Sequence, residues 1–335
     1  MNHSLFFTER RRIYACHIAN LQLKYAIYSK SLLRNGSILM EIYNGIKKVI
    51  IPVAGLGTRF LPLSLAVSKE FFPLVDKPII QYILEEVKKS GITEVIFVVN
   101  RKQKMILNYF KKSPEIERFL IKKKKEKDLK ELNNFEKLFE GISFSYAVQK
   151  NPAGDGHAVL QSLKLLNSEP VAVSFNDDII DSNVPALSQL INIFKTSNAP
   201  IIGLKSLPRD KIPSYGSVSV EKIADRLYKI KKIIEKPDPS QISSSLVIVG
   251  KYILTSEVFN YLKKAPPSKK GEIILAEVFD KMLNDGKVIY GYELKGEWLE
   301  CGNKLKWLKS FFYMSLKDER FGKELKEYLK TTLLR

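Results

Sequence analysis

From about residue 47 onward, short apolar runs alternate with amphipathic stretches. Val49-Ile50-Ile51, the Val/Ile/Phe-rich segment Glu94 to Asn100, and the segments Ile142 to Gln149, Pro170 to Phe175 and Pro200 to Leu207 have the length and composition of strands. Lys77 to Ser90 predicts a helix, with Ile80, Ile83, Leu84 and Val87 on one side and Gly91 as its stop. Strand, helix, strand is the unit of a parallel sheet. Residues 101–140 predict helix with an intermittent apolar face made by Ile116, Phe119, Leu120, Leu129, Leu132 and Phe135, and residues 184–197 predict another helix.

After Ser214 the pattern changes to alternating strands that end at Ile233-Ile234-Glu235-Lys236-Pro237, which read as antiparallel additions. Ser245 to Ile253 is a further strand, and Gly250 inside it marks a close approach of ligand or backbone. Gly271 is expected to open a helix running to about Asn284, with Ile274, Val278 and Met282 as core positions. Two amphipathic helices, about 303–333, close the chain and are candidates for subunit packing. The fold class is therefore α/β: a Rossmann-like mixed, mainly parallel sheet flanked by helices, with antiparallel additions.

Composition narrows the function classes. Among 335 residues, 45% are hydrophobic and 27% charged, ordinary for a globular protein, and no apolar run approaches a membrane span. With two cysteines, Cys16 and Cys301, a disulfide framework is not expected and a reducing, cytoplasmic setting is the simpler one. The net charge is +19, but residues 101–140 contribute only +6 of it and residues 1–39 only +5. A nucleic-acid face concentrates its charge, so no dedicated nucleic-acid partner is expected; a diffuse positive field does draw in phosphorylated substrates. Residues 1–39 carry Arg10-Arg11-Arg12 and one acidic residue, with no continuous hydrophobic stretch leading to a cleavage site. They are expected to be an extension, with a natural start near Met40 and the functional domain spanning 40–335.

The first candidate chemistry follows the first strand. Ala54-Gly55-Leu56-Gly57-Thr58-Arg59 breaks the apolar run with two glycines, a hydroxyl and a guanidinium, a pattern that lets successive N–H groups face an anion. It lacks the third glycine of the dinucleotide fingerprint and the Gly-Lys-Ser/Thr of the kinase-type loop. Asn176-Asp177-Asp178 stands at the end of a later strand, where open parallel sheets gather ligands, and an acidic pair there suits a hard cation, magnesium first. Gln149 ends another strand before a glycine-containing loop. His157 lacks a partner at recognisable spacing and is given no chemistry.

Pro52-Val53-Ala54-Gly55-Leu56-Gly57-Thr58-Arg59, Ser68-Lys69-Glu70 and Pro73-Leu74-Val75-Asp76-Lys77-Pro78 together resemble the signature of sugar-1-phosphate nucleotidylyltransferases, with the bacterial-type UTP–glucose-1-phosphate uridylyltransferases as the nearest branch. The resemblance implies the nucleotide-diphospho-sugar transferase fold, with a nucleotide half at about 47–180 and a sugar-binding half at about 181–300. It implies Ala54, Gly55, Gly57 and Thr58 around the nucleotide, Arg59 and Lys69 on its phosphates, Gln149 and Gly154 at the uracil, Asp177 on Mg²⁺ and Asp178 beside the sugar. The Glu235-Lys236-Pro237 triplet matches a family motif that places Glu235 on sugar hydroxyls and Lys236 on the sugar phosphate, with Gly216 against the ring. Late in the chain, Glu300-Cys301-Gly302-Asn303-Lys304-Leu305 resembles a motif that begins with aspartate, so Glu300 is expected as a second, longer metal-holding arm. The implied substrates are UTP and glucose 1-phosphate, and the implied assembly is a homodimer or homotetramer. A thymidylyltransferase, or a non-catalytic regulator with the same fold, stays open on the sequence alone.

Overall fold

The computed structural model describes residues 45–100 and 105–333. The expectations for residues 1–39 and for a start at Met40 lie outside the described residues.

β1 (Lys48–Pro52) is buried along its length. Its alternate side chains feed two cores, Val49 and Ile51 on one face of the sheet and Ile50 on the other. That two-sided burial is why the strand reads as a continuous apolar run rather than an alternating one. After a loop of short helical turns comes α1 (Ile79–Lys89), whose predicted stripe Ile80, Ile83, Leu84 and Val87 is fully buried. β2 (Glu94–Val99) follows and pairs in parallel with β1.

Three helices occupy the next segment: α2 (Met105–Tyr109), α3 (Pro114–Lys122) and α4 (Glu126–Leu138). Here the predicted apolar face is only partly realised. Leu120 is buried, but Ile116 and Phe119 are 52% and 53% exposed. α3 and α4 are short and pack on each other, so one stripe cannot turn wholly toward the sheet. Lys122 to Lys125 are exposed, as a solvated surface requires.

β3 (Ser143–Val148), α5 (Asp155–Gln161) and β4 (Val171–Ser174) complete a parallel group. β5 (Asp178–Asp181), α6 (Ala186–Ser197) and β6 (Ile201–Ser206) follow. β7 (Gly216–Ala224) and β8 (Leu227–Glu235) form the expected antiparallel pair, in a register that sets Gly216 opposite Glu235. β9 (Leu246–Leu254) leads into α7 (Ser256–Lys264), a helix the hydrophobic pattern had not singled out, although Val258, Phe259 and Leu262 are buried.

α8 runs Leu275–Asn284, four residues later than the expected opening at Gly271. The reason is local pairing: Ile273 donates to the Ala153 carbonyl at 2.8 Å and accepts from the Gly156 N–H at 2.9 Å, which holds this segment extended. The Asp155 carboxylate then accepts the Leu275 N–H at 2.9 Å and starts the helix. Val278 and Met282 are core as expected, joined by Leu275 and Phe279, whereas Ile274 precedes the helix.

β10 (Tyr290–Glu293), β11 (Glu297–Glu300), α9 (Lys304–Lys317) and α10 (Gly322–Leu333) end the chain. The nine-stranded sheet has the order β3-β2-β1-β4-β9-β6-β10-β8-β7. Its first four strands are parallel, and β9 enters antiparallel to β4. β5 and β11 form a separate antiparallel pair with Asp178 opposite Glu300. The carboxyl ends of β1, β3 and β4 thus open on one side, carrying the glycine loop, Gln149 and the Asp177-Asp178 pair.

Candidate active site

The glycine loop leaves β1 through Gly57, whose φ of 64° is the left-handed shape that glycine adopts without penalty. Gly55, Thr58 and Arg59 are exposed, so backbone and guanidinium face open space. The same loop folds back through Lys69, whose Nζ lies 2.7 Å from Asp177 Oδ2. Residues 108 positions apart in sequence therefore meet across the ends of β1 and β4. Burial works to raise the Asp177 carboxyl, but the charge and hydrogen bond of Lys69, with Arg59 nearby, hold it below the usual carboxylate range. Lys69 shows the converse: burial disfavours its charge, Asp177 outweighs burial, and the ammonium is held above its ordinary value. The pair is ionised at neutral pH, a cation and a hard oxygen donor side by side. Asp177 is further held at its backbone, where its carbonyl accepts the Cys301 N–H at 2.7 Å.

Asp178 points elsewhere. Its Oδ1 accepts the Trp298 indole N–H at 2.7 Å and its Oδ2 accepts the Gly250 N–H at 3.1 Å. Burial and then the neighbouring Asp177 push its carboxyl up to about 7. The close approach expected at Gly250 is this one: an added Cβ would stand 2.5 Å from Asp178 Oδ2 and 2.7 Å from Phe175 Cβ. Gln149 is buried at the end of β3, and its Nε2 donates to the Gly154 carbonyl at 3.2 Å and reaches His157 Nδ1 at 2.9 Å. His157 thus orients Gln149 within the β3–α5 loop. Gly154 lies against the Ile273 backbone, which an added Cβ would meet at 2.4 Å.

Just past the end of β8, Lys236 is exposed and takes a φ of 49°, while its N–H donates to the Tyr215 carbonyl at 3.0 Å. Its Nζ is 3.7 Å from Glu235 Oε1. Burial raises the Glu235 carboxyl against the opposing pull of Lys236. Glu300, expected as a metal-holding arm, has both oxygens engaged, Oε2 by the Tyr215 hydroxyl at 2.7 Å and Oε1 by Lys306 Nζ at 2.6 Å. Among the described residues no group of three or more His, Cys, Asp or Glu is arranged to hold a metal ion by itself.

Several supporting residues were not singled out from sequence. Trp298, Tyr215 and Lys306 are ordinary residues until the fold brings them to Asp178 and Glu300. Beneath the acidic pair, fully buried Lys251 Nζ is held by Glu86 Oε2 at 2.9 Å and the Ser174 hydroxyl at 2.7 Å. This last group did leave a signal: a lysine inside the apolar run Leu246–Leu254 requires a buried acid partner.

Residues 48–319 match the nucleotidyl transferase family. The UTP–glucose-1-phosphate uridylyltransferase 1 of Staphylococcus saprophyticus is 36% identical over 289 residues, covering 85% of this chain and 98% of that protein. A UDP-glucose pyrophosphorylase solved with UDP-glucose superposes with a TM-score of 0.73 at 32% identity, over 82% of this chain and 100% of its own. The UTP-bound enzyme from Acinetobacter baumannii gives a TM-score of 0.78 at 32% identity, over 85% and 98%. The chain belongs to the nucleotidyl transferase family, among the UTP–glucose-1-phosphate uridylyltransferases.

Proposed function

We propose that this chain makes UDP-glucose and pyrophosphate from UTP and glucose 1-phosphate. A phosphate oxygen of the sugar phosphate attacks the α-phosphorus of UTP, a P–O bond forms there, and the bond to the bridging oxygen of the β-phosphate breaks to release pyrophosphate. The nucleophile needs no general base, because a phosphate monoester has its second pKa at about 6. The catalytic task is to hold two mutually repelling anions in line and to neutralise charge on the departing pyrophosphate.

The observation that carries this reading is the Lys69–Asp177 pair at the ends of β1 and β4, beside the open glycine loop. Arg59 and the loop N–H groups take the leaving pyrophosphate portion, Lys69 the nucleotide phosphates, Gln149 and Gly154 the base, and Glu235 and Lys236 the sugar and its phosphate. Asp177 suits Mg²⁺, because this cation is commonly held by one or two carboxylates and completes its shell with substrate phosphate oxygens and water. When bound, the ion supplies charge neutralisation to the phosphate oxygens. Asp178 supports the site from beneath, through Trp298 and Gly250. Among the described residues no helix is long and apolar enough to cross a membrane. That agrees with a cytoplasmic enzyme, whose C-terminal helices are candidates for self-association.

The test is pyrophosphate release across a panel of nucleotides and sugar 1-phosphates, with and without Mg²⁺. Release is expected with UTP and glucose 1-phosphate together, and only with the ion present. Preference for dTTP would redirect the assignment to thymidylyl transfer, and silence with every pair would overturn it.

A further inference from the structure

The end of β11 and the start of α9, with Tyr215 just before β7, close a three-membered ring of hydrogen bonds. Lys306 Nζ donates to Glu300 Oε1 and to the Tyr215 hydroxyl, each at 2.6 Å, and that hydroxyl donates to Glu300 Oε2 at 2.7 Å. Every member is anchored. The Ser310 hydroxyl donates to the Glu300 carbonyl at 2.8 Å. Asn303 Oδ1 caps α9 by accepting the Lys306 N–H at 3.0 Å, which sets Lys306 one turn in, facing back toward Glu300. The Tyr215 ring lies 5.4 Å from that of Trp298, whose indole N–H holds Asp178.

Two consequences follow from this arrangement. Both oxygens of the Glu300 carboxylate are taken up in this way, Oε1 by Lys306 at 2.6 Å and Oε2 by Tyr215 at 2.7 Å, whereas Lys69 holds Asp177 at Oδ2. Tyr215, meanwhile, cannot shift without moving Lys236, because its carbonyl accepts the Lys236 N–H at 3.0 Å. Lys236 keeps a φ of 49°, a shape that a non-glycine residue holds when its surroundings impose it.

We propose, on the basis of the function proposed above, that Glu300 is a positioning residue and not a metal ligand: with Lys306 it fixes Tyr215, and through the Tyr215 backbone it aims Lys236 at the sugar phosphate. The extra methylene of glutamate relative to the family's aspartate extends the carboxylate to this pair. Burial, and then the hydrogen bond to Glu300, raise the Tyr215 hydroxyl above its ordinary value, so it remains a donor at neutral pH.

The test uses the full chain and the variants Glu300→Gln, Tyr215→Phe, Lys306→Arg and Asp177→Asn, with separate KM values for the two substrates and Mn²⁺ binding in the presence of UTP read by electron paramagnetic resonance. Glu300→Gln and Tyr215→Phe are expected to raise KM for glucose 1-phosphate about tenfold while leaving KM for UTP within about twofold. Lys306→Arg should retain most of the wild-type value. Mn²⁺ affinity should be unchanged in Glu300→Gln and lost in Asp177→Asn. Loss of Mn²⁺ affinity in Glu300→Gln, or an equal rise in both KM values, overturns the inference. A wild-type chain that forms no UDP-glucose would instead sink the proposed function. The Mn²⁺ comparison of Glu300→Gln with Asp177→Asn would still decide the role of Glu300.

Discussion

The two parts of the proposed site are built differently. On the side proposed for the nucleotide the chain offers open backbone, with Gly55, Thr58 and Arg59 exposed, and is tied over long range by the Lys69–Asp177 pair, by the Asn100 amide on the Ala54 carbonyl and by Lys304 on the Leu61 carbonyl. On the side proposed for the sugar the side chains are wired to one another through Tyr215, Glu300, Lys306, Trp298 and Asp178. A flexible polyphosphate can be gripped by turn N–H groups that need no partner in the protein. A sugar phosphate must be met by side chains at set positions, and each such position needs its own support. Substitutions on the first side should therefore act on one substrate locally, and those on the second should spread.

The largest expected effect joins the two sides. Fully buried Lys251 in β9 pairs with largely buried Glu86 in α1, so Lys251→Met takes the cation from that carboxylate and leaves it the Leu187 N–H. It should cost about 3–5 kcal/mol in urea unfolding, and Lys251→Met with Glu86→Leu should recover much of that loss. A loss below about 1 kcal/mol in the single variant would show that the pair does not brace the sheet.

Next comes Asp177→Asn, which removes the ionised carboxylate at the junction of the two sides. A fall of about 10²–10³-fold in kcat for pyrophosphate release is expected. Near-normal turnover would remove Asp177 from the chemistry.

The pH dependence of stability probes what lies under the open loop. Glu70 is 1% exposed, and burial pushes its carboxyl up to about 7. A raised acid binds its proton more tightly folded than unfolded, so its contribution is fully present below about pH 4.5 and is lost as pH rises through about 7. Glu70→Gln should flatten that part of the stability profile by up to about 3 kcal/mol across the window. An unchanged slope would place the titration elsewhere.

The smallest effects divide the substrates. Lys236→Ala should raise KM for glucose 1-phosphate about tenfold or more and leave that for UTP nearly unmoved, and Arg59→Ala should do the reverse. If either variant moves both values equally, the two-sided division fails.

Much of this was legible in the chain. Val49-Ile50-Ile51 announced a strand buried on both faces, and Gly55 and Gly57 announced a turn able to face phosphate, because backbone shape and burial depend on neighbours in sequence. The Glu-Lys-Pro triplet and the acidic pair were also visible as short motifs. What Asp178 and Glu300 hold was not. The resemblance implies Asp178 beside the sugar and Glu300 on the metal, and only the fold shows that Asp178 accepts from Trp298 and Gly250, and Glu300 from Tyr215 and Lys306. The opening of α8 failed for a related reason, since its start is set by Ala153, Asp155 and Gly156 from 120 residues away.

By itself, then, the sequence determined most of the strands and helices, where phosphate could be cradled, and which family the chain resembles, because those properties reside in contiguous residues. Tertiary structure decided which donors each carboxylate meets. A carboxylate's role is set by the donors within about 3 Å of it, and here those donors arrive from strands and helices far along the chain.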